Sequence, residues 1–238
     1  MKQLIWHIYA YVYDAILLEL IPYQMMIDKA YRAFDPANGN HYLDAGCGTG
    51  NYLKPFLDSD KRVKIAAIDY SQAMMERAKS KIKGNGKQVD FYKLDLNKKL
   101  PFKDNTFEGI ICINVLYSIQ DPEVMIKEFY RVLKQQGKLV LITPLEQPKI
   151  IPIIREHIHE LTVKYPQYWR VIFLRQLIKS VIPMILFMPI NLYITANNDF
   201  WFLTEEGTKG LLTSNDYFIQ ESGLIYGRQN IFIMAKKK

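Results

Sequence analysis

The chain has 238 residues, 49% hydrophobic and 23% charged, which suits one generous globular domain and excludes a disordered chain or two full-sized domains. Lys and Arg outnumber Asp and Glu, 31 against 24, a basic balance compatible with nucleic acid, an anionic membrane surface, an anionic ligand or simple solubility. The only cysteines, Cys47 and Cys112, rule out a disulfide framework and a zinc cluster, so a reducing cytoplasm is the expected compartment.

The opening stretch MKQLIWHIYAYVYDAILLEL mixes acids and aromatics into an apolar run without a small-residue cleavage site. It reads as an amphipathic helix in a helical region over 1–40. Five apolar runs of strand length follow: His41–Ala45, Val63–Asp69, Gln88–Leu94, Phe107–Ile113 and Lys138–Thr143. Between them, Ser71 caps a helix carrying Met74, Met75, Ala78 and Ile82 that stops at Gly84. Asp121 caps another, with Pro122 at its first position, Met125, Phe129, Val132 and Leu133 at helical spacing, and Gly137 at its end. Strands joined by crossover helices run parallel, so 41–144 is expected to be the core of a doubly wound, mostly parallel α/β sheet.

After Pro144 the alternation stops until Tyr217–Gln220 and Asn230–Ala235, which bring the strand count to seven. A structureless loop of that length is foreign to a compact domain, so 145–203 is expected to be a helical cap inserted after the fifth strand. Thr204, Glu205 and Glu206 open a last helix within a closing unit over 204–238. Lys236, Lys237 and Lys238 read as a solvated tail. The apolar run Val181–Ile194 is too short to span a bilayer and contains Pro183 and Pro189. The whole of 1–238 is thus expected to be a single domain.

The chemistry-bearing segment is Leu43-Asp44-Ala45-Gly46-Cys47-Gly48-Thr49-Gly50, a strand running into glycines and then a helix. Glycines let the backbone approach a ligand closely, and a helix N-terminus offers unpaired N–H groups. Asp69 closes the second strand, where a carboxylate can accept from both ribose hydroxyls of a nucleotide-like ligand or merely cap the next helix; strand, glycine turn and acid in this order favour the ribose. A dehydrogenase would carry Gly-x-Gly-x-x-Gly, whereas the third glycine here comes one residue early.

LDAGCGTG, AAIDYS, KLDLNKKLPFKDNTFEGIICINVLYSI and RVLKQQGKLVLITP, in this order, resemble the class I S-adenosylmethionine-dependent methyltransferases over about residues 41–144. The ubiquinone and menaquinone biosynthesis type of small-molecule methyltransferase is the most similar subgroup. The resemblance implies a Rossmann-like methyltransferase fold with S-adenosylmethionine as cofactor. Gly46, Gly48 and Gly50 would lie along its methionine moiety, which Asp44 would orient. Asp69 would hold the ribose, Tyr70 or Met74 would flank the adenine, and Asp95 would accept from the adenine amino group with Leu96 beside it. Asn114 would face the methionine part, and Tyr13, in a Tyr-Asp pair with Asp14, would reach the cofactor carboxylate. Packing alone accounts at least as well for Met74 and about as well for Tyr13, whereas for Asp95 a solvated turn is the lesser alternative to the adenine contact.

Methyl transfer from a sulfonium needs alignment and exclusion of water more than a base, so no catalytic residue is fixed; Tyr117, Tyr13, His157 and His159 are the candidates. His157 and His159, two apart on a helix, cannot grip one ion together and read as a solvated face, and no metal is expected. Residues 113–118, INVLYS, lack the paired prolines of nucleic-acid amino methyltransferases, so nucleic acid is not the expected substrate.

Between Leu161 and Asn198 there are four cations, Lys164, Arg170, Arg175 and Lys179, and no acid, among Tyr165, Tyr168, Trp169, Phe173, Phe187 and Tyr193. The stretch 161–198 therefore suits peripheral contact with an anionic membrane, a pocket for an apolar acceptor, or packing on the sheet or a second subunit. The expected activity is methylation of a small hydrophobic acceptor such as a quinone precursor, lipid or secondary metabolite. An RNA methyltransferase and a non-catalytic S-adenosylmethionine-binding protein are the alternatives.

Overall fold

The computed structural model describes residues 10, 12–82, 88–146, 149–196 and 201–238, with backbone alone for 88, 186, 187 and 190–196. Residues 1–9 and 11 of the expected N-terminal helix, Gly84, the expected stop of the helix begun at Ser71, and the side chains of Phe187 and Tyr193 lie outside that description. Residues 12–17 are helical. The elements after them are α1 (Ile21–Phe34), β1 (His41–Ala45), α2 (Leu53–Asp58), β2 (Lys64–Asp69), α3 (Gln72–Ile82), β3 (Gln88–Lys93), β4 (Phe107–Ile113), α4 (Pro122–Val132), β5 (Leu133–Pro144), α5 (Ile150–Lys164), α6 (Trp169–Ala196), α7 (Glu205–Thr213), β6 (Tyr217–Ile225) and β7 (Asn230–Lys237).

The seven strands form one sheet in the order β3-β2-β1-β4-β5-β7-β6. The first five run parallel, and β7 inserts antiparallel between β5 and β6. The doubly wound fold with a helical cap after the fifth strand is therefore present. Apolar side chains alternate along each central strand and both sets are buried, as a sheet covered on two faces requires. Leu43, Ile68, Ile110, Cys112 and Leu141 pack under Met125, Ile126 and Phe129 of α4 and Leu212 of α7. Tyr42, Ile65, Ile111 and Ile142 pack on the other face with Tyr23, Met26 and Phe34 of α1, Phe56 of α2 and Met75 of α3.

Local chemistry sets most boundaries. Asp121 accepts from the N–H groups of Glu123 and Val124, both at 3.1 Å, with Pro122 beginning α4. Thr204 accepts from Gly207 N–H at 3.0 Å and starts α7. Two expectations fail. Helix α4 stops at Val132 rather than near Gly137, because Leu133 already pairs with Phe107 and begins β5; the sheet register then jumps to Lys138 opposite Gly109, with Gln136 at φ +60° in the irregularity. The terminal lysines are not all solvated: Lys237 is buried, and its ammonium donates to the carbonyls of Tyr130 and Leu133 and to Asn105 Oδ1 at 2.7, 2.8 and 3.0 Å. Among the described residues no helix is long and apolar enough to cross a membrane.

Candidate active site

The strand order reverses between β1 and β4, so a crevice opens beyond their carboxyl ends, the usual ligand position in open α/β sheets. The glycine turn fills the β1 side. Gly46 holds φ +82°, and a Cβ there would overlap the Val115 side chain, so the turn and the segment after β4 touch only because the side chain is absent. Gly48 holds φ +52° with nothing within 4 Å of where a Cβ would be, which leaves an open approach to its backbone. The expected helix N-terminus does not follow directly: α2 begins at Leu53, has six residues, and the Gly48 N–H is already engaged.

It donates to Asp69 Oδ2 at 2.8 Å, while Asp69 Oδ1 accepts from Ser71 N–H at 2.7 Å. Asp69 thus clamps the glycine turn and caps the start of α3 at once; the Tyr70 N–H is a third backbone donor to it, which leaves acceptor capacity for a ligand hydroxyl. Burial pushes its pKa up against the pull of these N–H groups. Asp44, one strand position before Ala45, is 4% exposed and its Oδ2 has no partner among the described residues. Burial first, and the charge of Asp69 second, push its carboxyl up to about 8. An orphaned acid beside an open glycine turn matches a ligand carrying positive charge, as the amino-acid end of S-adenosylmethionine does.

The rim is mixed. Tyr70 is 67% exposed, whereas Met74 and Leu96 are buried. Asp95 accepts from the Asn97 backbone and side-chain amides at 3.0 and 2.9 Å; although burial opposes it, these bonds and Lys98 hold its pKa below the usual carboxylate range. It is a half-buried turn residue with lone pairs to spare. Asn114 ends β4 in the left-handed region, φ +54°, and accepts from Asn230 Nδ2 at 2.8 Å. It also hydrogen-bonds Tyr13, which hydrogen-bonds Tyr23. Tyr117 stacks on Phe202 with ring centroids 5.9 Å apart, and its phenol is pushed up to about 12 by burial.

The expected pair of histidines divides. His159 is exposed, but His157 is 2% exposed, a correction to its expected place on a solvated face. Its Nδ1 accepts from Ile21 N–H at 3.1 Å and its Nε2 lies 3.1 Å from Gln176 Oε1. An Nδ1 that accepts leaves the proton on Nε2, so both nitrogens of a neutral ring are used and neither is open to a substrate proton. Among the described residues no group of three or more His, Cys, Asp or Glu could hold a metal ion.

Sequence reasoning passed over the polar frame beneath the turn. Asp14, 4% exposed, accepts from Thr49 Oγ1 at 2.7 Å, Asn51 Nδ2 at 3.0 Å and Arg77 Nε at 3.2 Å, and pairs with Lys81 at 2.6 Å. Asn51 also donates to the Tyr23 hydroxyl at 3.1 Å. The rings of Tyr13, Tyr52 and Tyr226 surround Tyr23 edge-on. One signal was legible: Arg77 and Lys81, one helical turn apart, share a face and so a partner.

Residues 43–141 match the protein family described as "Methyltransferase domain". The chain is 36% identical over 126 residues to the ubiquinone/menaquinone biosynthesis C-methyltransferase UbiE of Desulfotalea psychrophila, covering 52% of this chain and 50% of that protein. It is 30% identical over 170 residues to the carboxy-S-adenosyl-L-methionine synthase of Wolinella succinogenes, covering 67% and 66%. In fold it is similar to a SAM-dependent methyltransferase from Aquifex aeolicus, with TM-score 0.59, 19% identity, and coverage of 93% of this chain and 92% of that one. The chain spans between half and two thirds of the length of the two curated relatives.

Proposed function

We propose, from the premise that this chain carries a class I S-adenosylmethionine-dependent methyltransferase domain of the ubiquinone/menaquinone type, that it methylates a small hydrophobic acceptor. The observation that carries the reading is the unpartnered, buried Asp44 carboxyl group beside the open glycine turn. Relatives named for quinone methylation and for phosphatidylethanolamine N-methylation support an apolar or lipid-like acceptor.

Bound S-adenosylmethionine supplies a methyl group already activated on a sulfonium. This chain's residues then have to bind, orient and keep water out. In our reading Asp44 attracts the amino-acid end, Asp69 holds the ribose with its remaining acceptor capacity, Tyr70, Met74, Asp95 and Leu96 border the adenine, and Asn114 and Tyr13 close the methionine end. Burial keeps the phenols of Tyr13 and Tyr117 protonated, so they donate hydrogen bonds and do not serve as bases. With His157 fully engaged, deprotonation is left to the acceptor itself or to water.

Mass spectrometry after incubation with methyl-labelled S-adenosylmethionine tests this, using demethylated quinone head groups with apolar tails and phosphatidylethanolamine as acceptors. Labelled acceptor together with S-adenosylhomocysteine is the expected result. A second reading rests on the 170-residue likeness to the carboxy-S-adenosyl-L-methionine synthase: a mass change in the cofactor itself, without methylated acceptor, would favour it. Absence of calorimetric binding of both S-adenosylmethionine and S-adenosylhomocysteine would overturn both.

A further inference from the structure

Helix α6 is anomalous for a surface element. A helix on a globular domain ordinarily turns one polar face to water, yet the solvent side of α6 is apolar. Val171, Leu174, Ile178, Val181, Ile185 and Met188 recur at spacings of three and four and are all exposed, and Ile182 beside them is 71% exposed. At about 100° per residue they fall within an arc of roughly 120°. The opposite side turns toward α5 and α1, where Gln176 bonds His157 and the Glu19 carbonyl.

Charge is distributed along the edges of this stripe. Arg175 and Lys179 follow one border and Arg170 the other near the start of the helix, and all three are exposed. No acidic residue occurs from 161 to 198. The end of α5 adds exposed Val163 and Lys164, and the turn leading into α6 adds exposed Tyr165 and Tyr168. Along the flank, an open apolar groove of ≈ 490 Å³ runs between Ile151, Ile154 and Ile158 of α5 and Phe173, Leu177 and Met184 of α6.

We propose that α6 and the turn before it dock flat on an anionic lipid bilayer, with the apolar stripe among the acyl chains and Arg170, Arg175 and Lys179 at the headgroups. Cations flanking a broad apolar arc, with tyrosines at one end, are what an in-plane interfacial helix presents. A second copy of the chain fits less well. An antiparallel two-fold contact along the stripe brings Arg175 and Lys179 to their own counterparts, with only Glu19, already paired with Lys179 at 3.2 Å, to offset them. Topology gives the docking its direction: α6 lies in the connection leaving the carboxyl end of β5, the same sheet edge as the glycine turn. The site would then face the phase in which an apolar acceptor dissolves.

The surface reading does not depend on methyl transfer, so vesicle flotation and cofactor binding are measured separately on the full chain. With phosphatidylcholine vesicles containing phosphatidylglycerol, wild type should float at low salt and be released by high salt. Pure phosphatidylcholine should capture at least tenfold less, since it offers the cations no anionic headgroups. The double variant Arg170→Glu, Arg175→Glu should lose the preference for anionic vesicles, and Ile178→Glu, Ile182→Glu should lose capture altogether. A solvent-sensitive dye on Ile182→Cys should shift to the blue with anionic vesicles, a readout that needs no disruptive substitution. Wild type that stays with neither vesicle, capture indifferent to both variants, or a sedimentation dimer that Ile178→Glu, Ile182→Glu dissociates would each overturn the proposal. Cofactor affinity should be unchanged in all these variants.

Discussion

Asp44 carries a cost in the ligand-free chain that can be measured. Its carboxyl is buried, one oxygen is unpartnered, and its pKa stands at about 8 against an ordinary 3.8. Below pH 4 both folded and unfolded chains hold the proton and the penalty vanishes. Between 4 and 8 the unfolded chain gives it up while the folded one keeps it, so stability falls as pH rises through that window and levels off above it. Asp44→Asn should therefore flatten the descending limb and raise stability by roughly 1 to 3 kcal/mol at pH 8, while weakening binding of S-adenosylhomocysteine. Urea melts at pH 5 and pH 8 decide it: the same pH dependence in variant and wild type would remove Asp44 from this role. The glycine turn and Asp69 were legible in the sequence because strand, turn and acid follow one another in a short span. Asp14, Asn51 and Asn230 were not, because their partners are brought together only by the fold, and polar residues far apart carry no periodic signal.

His157 works between elements. Through Nδ1 it satisfies the first N–H of α1, and through Nε2 it meets Gln176 of α6, whose amide donates to the Glu19 carbonyl at 3.1 Å. Burial lowers its pKa, outweighing the opposing Gln176 bond and the Glu19 charge. The folded chain thus resists a proton that the unfolded chain accepts near pH 6.5, and the stabilising effect is present above that value and lost as pH falls below it. His157→Gln should cost about 1 to 2 kcal/mol at pH 7.5 and should lose less than wild type on acidification to pH 5. Thermal melts across that range check the sign, and parallel curves would refute it. Spacing alone suggested a solvated histidine because α5 is apolar on more than one side, and the position of α1 against it cannot be read from the helix itself. The end of α4 was misread for a related reason. Leu133 continues the apolar helical rhythm of Met125, Phe129 and Val132, but burial in a strand demands the same residue, and pairing with Phe107 takes it into β5.

At the scale of the whole chain, alternating strands and capped helices made the doubly wound sheet legible, while the way the last strand closes the molecule was hidden in what looked like a charged tail. Strand β7 pairs with β5 along its length, and its last residue, Lys237, reaches under the end of α4. There the ammonium meets the carbonyls of Tyr130 and Leu133, groups that the helix end leaves without internal partners, and Asn105 Oδ1 in the turn before β4. One side chain from the end of the sequence thus joins three segments from its middle. Lys237→Met keeps the apolar stem and removes the donor, leaving those carbonyls buried and unpaired. The expected loss is about 2 to 3 kcal/mol, or roughly 4 to 12 °C in Tm for a domain of this size. Because the latch lies at the amino ends of β4 and β5, across the sheet from the glycine turn, calorimetric affinity for S-adenosylhomocysteine should stay at the wild-type value wherever the variant is folded. A melting temperature unchanged by the substitution would return Lys237 to the solvent. A lost affinity in folded protein would mean that the sheet transmits strain from one edge to the other.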